Sequence, residues 1–164
     1  MMRPPSKRLP LLLRLILFYS LGAVSPAAAM QAFPAKVVEV IDGDTIRVVH
    51  QKKPLVIRLQ GVDAPELKQP YGQKAKEFAE ELATGQGVMV VVVAQEKEEI
   101  IGDVIFKDGR SLSREIIRAG YGWWDRKYVD DPGLAVLMSD ARRSKRGLWA
   151  DPTPVAPCVF RLIH

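Results

Sequence analysis

Five short runs rich in β-branched residues, each closed by a turn signal, are what most restricts the fold of this chain. They are Lys36–Ile41, Thr45–His50, Pro54–Gln60, Val88–Ala94 and Asp103–Lys107. Asp42-Gly43 joins the first two as a hairpin, and Asp108-Gly109 ends the last. The nearly continuous valine run at 88–94 suits a strand covered on both faces. Three helices are interleaved. In Tyr71–Ala83 the residues Ala75, Phe78, Ala79 and Leu82 recur at helical spacing, and Gly85 ends the pattern. Leu112–Ala119 has Ser111 as its cap and stops at Gly120. A third helix starts with Asp131 at the cap and Pro132 in the first turn, and is expected to end at Gly147. The order βββ-α-ββ-α-α, with short strands adjacent in sequence, predicts a small closed barrel with helices packed on it, an α+β fold that is mainly β.

The two ends read differently. Arg3, Lys7 and Arg8 precede the apolar stretch Leu15–Val24, and Ala27-Ala28-Ala29 follows at the spacing a signal peptidase reads. With Arg14 interrupting it, the apolar run falls short of the ~20 residues of a spanning helix. The expected organisation is a cleaved leader at 1–29, a short linker at 30–35, one domain at 36–149, and an extended tail at 150–164 in which Pro152, Pro154 and Pro157 disfavour regular structure. Export implies a secreted or periplasmic protein.

Charge must be read without the leader. All its ionisable residues are basic, so of 24 Lys and Arg against 19 Asp and Glu the remaining chain keeps 20 against 19. Near neutrality gives no ground for a global basic field toward nucleic acid, and only a local patch can serve. Cys158 is the single cysteine, which rules out an internal disulfide. His50 and His164 stand far apart and neither has a histidine partner nearby, which argues against zinc.

The segment Val40–Glu66, VIDGDTIRVVHQKKPLVIRLQGVDAPE, carries the chemistry. It sets Asp42, Asp44, Asp63 and Glu66 around Arg58. Carboxylates converging from separate strand ends are costly to hold unless a cation neutralises them. Hard oxygen ligands suit calcium or magnesium, and an arginine beside them offers a planar fork for phosphate. Metal, arginine and a spare carboxylate are together the components of phosphodiester hydrolysis. Each piece also has a plain structural explanation: a turn, a loop before a helix, a solvated strand residue.

DGDT, IRLQGVDAPE, QPYGQKAKEFAEEL, AGYGWWDRKY and ARRSKRGLWADP follow one another along the chain. In that order they resemble the signatures of the thermonuclease, or staphylococcal nuclease-like, family. The resemblance implies a five-stranded OB-fold barrel with three packed α-helices. It also implies a Ca²⁺-dependent nuclease that hydrolyses the DNA or RNA backbone with little sequence preference. The expected partner is nucleic acid, single strands above all, bound by a monomer with no membrane anchor after cleavage. Carried over by position, Asp44 and Asp63 ligate Ca²⁺, Thr45 adds its backbone carbonyl, and Asp42 lies in the outer shell. Arg58 holds the scissile phosphate and Glu66 acts as base. Tyr128 lies near the bound nucleotide, with Arg126 and Lys127 as candidate substrate guides. Trp123 and Trp124 are either stacking platforms or barrel packing, and the Arg142–Arg146 group reads as a solvated helix face.

One departure stands out. The family carries a second catalytic arginine on the strand after the valine run, where this chain reads QEKEEIIGDVIFKDG. Depending on register, Ile100, Glu99 or Asp103 takes that place. Three readings follow: a slow nuclease, a catalytically weakened nucleic-acid-binding OB module, or a calcium-stabilised interaction domain of the envelope.

Overall fold

Valine and isoleucine supply most of the interior of a closed five-stranded barrel in the computed structural model, which describes residues 31–163. The expected leader at 1–29, Met30 of the linker, and His164 lie outside the described residues. In chain order the elements begin with β1 (Ala32–Val40), β2 (Thr45–His50), β3 (Lys53–Leu59) and the two-residue β4 (Val62–Asp63). They continue with α1 (Gly72–Ala83), β5 (Gly87–Glu96), β6 (Glu99–Phe106) and α2 (Leu112–Ala119). The two-residue β7 (Trp123–Trp124), α3 (Pro132–Arg143), a 3-10 turn (Gly147–Ala150) and α4 (Pro157–Ile163) complete the chain.

The barrel order is β1-β2-β3-β6-β5, with β1 closing on β5. Its pairs are antiparallel except β3 with β6, which run parallel through Arg58↔Ile101 and Leu59↔Gly102. Val37, Ile46, Val48, Ile57, Val90 and Val104 are sealed inside it. Small residues bring α1 close: Ala75, Ala79 and Ala83 are fully buried, while Phe78 and Leu82 pack at the margin. α2 starts where Ser111 accepts from the Arg114 amide and stops at Gly120, whose φ of 82° is the left-handed conformation glycine adopts freely. α3 is capped by Asp131, which accepts from the Gly133 amide, with Pro132 in the first turn.

Four sequence expectations are corrected. β1 begins at Ala32, so residues 32–35 of the expected linker pair with Val88–Val91 of β5. β6 begins at Glu99, because Glu96 and Glu99 pair across a tight turn with Lys97 at φ 53°. α3 ends at Arg143 and not at Gly147, which instead opens the 3-10 turn. The tail is not extended throughout, since Pro157–Ile163 forms a fourth helix. Among the described residues no helix is long and apolar enough to cross a membrane.

Candidate active site

The loop between β1 and β2 is folded by its own polar atoms. Asp42 Oδ1 accepts from the Asp44 amide at 3.0 Å, an Asx turn. The Thr45 carbonyl accepts from the amides of Ile41 and Asp42 at 2.8 and 3.2 Å. Thr45, the residue expected to offer its carbonyl to calcium, thus uses that carbonyl to close the turn. Gly43 is required by space and not by a left-handed φ: a Cβ there would lie 2.6 Å from Ala64 Cβ and 2.9 Å from Ala75 Cβ. The loop thus presses against both the DAPE segment and α1.

This contact delivers Asp44 to the interior. It is 4% exposed, with Oδ2 accepting from the Ala64 amide at 2.8 Å and Oδ1 from the Thr45 hydroxyl at 3.1 Å. Asp63, 8% exposed, arrives on β4, which is held by β7 through the pairs Val62↔Trp124 and Asp63↔Trp123. Trp123 packs edge-on against Trp149 at 5.0 Å, and Trp124 packs on the barrel core. Their work is packing: they fix the strand that carries Asp63. From β3, Arg58 Nη2 lies 3.4 Å from Asp63 Oδ1 and 3.8 Å from Asp44 Oδ2. The two acidic groups therefore meet over one guanidinium.

Glu66 reaches the same place from the turn that leads into α1. Its amide donates to Gln69 Oε1 at 3.2 Å and its carbonyl accepts from the Gln69 amide at 2.8 Å. Gly72, the first residue of α1, leaves room for that turn; a Cβ there would fall 1.9 Å from the Glu66 carbonyl oxygen. Gly72→Ala is expected to lower stability by about 1–3 kcal/mol through overpacking. By displacing Glu66 it should cut any hydrolysis about 10²-fold, which denaturant unfolding and initial rates would check together.

Burial pushes the Asp44 carboxyl up to about 7; Arg58 works against this shift, while Asp42 and Asp63 add to it. Arg58 is held above its ordinary value although burial opposes this, because Asp44 and Asp63 favour its charge. Two buried carboxylates, one poorly stabilised as an anion, form a donor set of hard oxygens that suits a divalent ion of the calcium type. Among the described residues no group of three or more acidic, histidine or cysteine side chains forms a ready-made cage.

The cleft over these groups is lined by Arg58, Glu66, Glu96, Glu99, Asp125, Lys127, Tyr128 and Arg161. Lys127 Nζ lies 3.0 Å from Glu96 Oε1, and Tyr128 also bonds Glu96, holding its carboxyl below the ordinary range. Arg126 does not line the cleft; it pairs with Asp130 and stacks 4.8 Å over Trp124. Arg142 lies over Trp149 and Arg143 pairs with Asp140, away from the cleft. On β6, Ile100 packs against the core, Glu99 lines the cleft, and Asp103 accepts from Ser111. Arg110 is tied to Asp108 beyond that strand.

Sequence reasoning missed Arg161. From α4 its guanidinium bonds both oxygens of Asp63 at 3.1 Å and Glu66 Oε1 at 2.7 Å. One signal was present: Pro157 before the apolar run Cys158-Val159-Phe160 is a helix start, hidden by two nearby prolines.

Residues 56–151 match the family described as "Staphylococcal nuclease homologue". An "Uncharacterized endonuclease" of Escherichia coli is 41% identical over 127 residues, 77% of this chain and 83% of that protein. A protein of the same description from Haemophilus influenzae is 28% identical over 152 residues, 92% of this chain and 84% of its own length. "Probable staphylococcal-like nuclease CAN1" of Oryza sativa subsp. japonica is 34% identical over 106 residues, 64% of this chain and 32% of that protein.

Proposed function

The chain belongs to the staphylococcal nuclease homologue family, whose members hydrolyse phosphodiesters, and on that premise we propose that it is an exported, calcium-dependent nuclease acting on single-stranded DNA or RNA. The observation that carries this reading is the convergence of Asp44 and Asp63 on Arg58, with Glu66 lining the same cleft. Asp44 and Asp63 are the residues to hold calcium, with Asp42 adjacent. Bound calcium would supply the positive charge that offsets phosphoryl oxygens.

The side chains account for the remaining requirements. The Arg58 guanidinium is 31% exposed, so it has a solvent-facing side from which to donate to non-bridging phosphate oxygens. Glu66 is 39% exposed and accepts the proton of the attacking water. The water oxygen forms the new bond to phosphorus, the bond to the leaving oxygen breaks in line, and that oxygen takes up a proton from solvent. Tyr128 and Lys127 border the path of the chain being cut. None of these groups reads a base, which supports cleavage with little sequence preference.

Turnover is proposed to be slow. Glu99 lines the cleft where relatives with an arginine on this strand would place a cation, and a carboxylate there repels phosphate. Purified protein incubated with single-stranded DNA and RNA should yield fragments in calcium and none in excess chelator. Intact substrate in both conditions would remove the enzymatic reading. Protein recovered after export should begin near residue 30.

A further inference from the structure

We propose that Arg161, carried on the C-terminal helix, is a second phosphate-binding guanidinium of the cleft. This rests on the nuclease reading above and deepens it. The charge distribution motivates it: Glu66, Glu96, Glu99 and Asp125 line the cleft, and of the opposing cations Lys127 pairs with Glu96 at its edge while Arg58 and Arg161 both reach Asp63. A polyanion entering there meets Arg58 and one further guanidinium, that of Arg161.

Arg161 is placed for this task by real anchors. Pro157 at the start of α4 is buried, Gln69 donates to the Val155 carbonyl, and Phe160 borders an apolar pocket with Tyr71, Trp123 and Leu148. The side chain still keeps 43% exposure, so one side faces the open cleft. Its Nη1 shares Asp63 Oδ1 with Arg58 Nη2, so two like charges are held side by side by anionic oxygen. A phosphodiester is an anion of the same kind, with two oxygens at the spacing a guanidinium fork reads. With Asp63 given over to a divalent ion, Arg161 would keep its bond to Glu66 and have its remaining donors free for a phosphate. A guanidinium that must first leave Asp63 is a slower aid than one fixed on a barrel strand.

The test compares full-length wild type with Arg161→Ala and Arg161→Lys. Two quantities are read in calcium: cleavage of single-stranded DNA, and affinity for a short cleavage-resistant phosphorothioate oligonucleotide across a salt series. Arg161→Ala should slow cleavage about 10²-fold. It should also reduce the slope of log affinity against log salt by ~0.7, the share of one phosphate contact on a single strand. Arg161→Lys should restore the salt slope but little of the rate, because the fork is lost. An unchanged slope in Arg161→Ala would overturn the proposal. So would faster cleavage with tighter calcium binding in that variant, which would make Arg161 a plug on Asp63 and Glu66. A wild type that binds the oligonucleotide without cutting DNA would sink the nuclease reading alone, and one that does neither would sink both.

Discussion

Asp44→Asn is expected to abolish calcium-dependent cleavage while making the calcium-free protein more stable. Asparagine keeps the shape of the side chain and can still accept from the Ala64 amide and bond the Thr45 hydroxyl. It removes the anion that burial disfavours and that Asp42 and Asp63 further repel. In chelator, burial pushes the folded Asp44 carboxyl up to about 7 while the unfolded one keeps its ordinary value of 3.8, so between those limits the folded chain holds a proton the unfolded chain has released. That contribution to stability is fully present below about pH 4 and is lost as pH rises through about 7. Denaturant unfolding in chelator should show wild type weakening by on the order of 4 kcal/mol across that window. The asparagine variant should be flatter and the more stable of the two at pH 8. A variant that still cuts DNA in calcium would remove Asp44 from the site, and identical pH curves would remove the buried-anion account.

Arg58→Lys is expected to lose about 10²–10³-fold in kcat while leaving calcium binding nearly intact. The substitution keeps the positive charge beside Asp44 and Asp63, which their repulsion requires. What goes is the rigid fork that can contact those oxygens and still present donors to a phosphate. Calcium titration followed by a dye competition would report the charge, and initial rates would report the fork. A lysine variant with full turnover would show that residue 58 serves only as a counter-charge. Equal loss of calcium binding and rate would show that it organises the carboxylates and does no more.

Local rules made much of this legible. The periodicity of α1, the Ser111 and Gly120 ends of α2, and the Asp131-Pro132 start of α3 depend on neighbours a few residues apart, and each is where the spacing puts it. DGDT and IRLQGVDAPE led to Asp44, Asp63, Arg58 and Glu66, which the barrel does bring together. The failures have a common physical cause. Residues 32–35 hold a proline and read as a linker, yet they pair with β5, proline being tolerated where its missing donor costs no ladder bond. A two-residue ladder such as β4 with β7 is too short to leave any periodicity in the sequence. The link from Arg161 to Asp63 spans 98 residues and rests on charge alone, which no local pattern encodes.

The parallel pairing of β3 with β6 has a consequence for the life of the chain before it is finished. As synthesis proceeds from the N-terminus, β1, β2 and β3 can pair as a meander, and β5 can then add to β1. The far edge of β3 stays bare until residues 99–106 emerge to cover it. An open edge on β3, with the valine-rich β5 also lacking its β6 partner, is a template for sticking to other nascent chains. The strand that carries Arg58 is thus the barrel's seam, and sealing it ends the aggregation hazard in the same event that builds the catalytic wall.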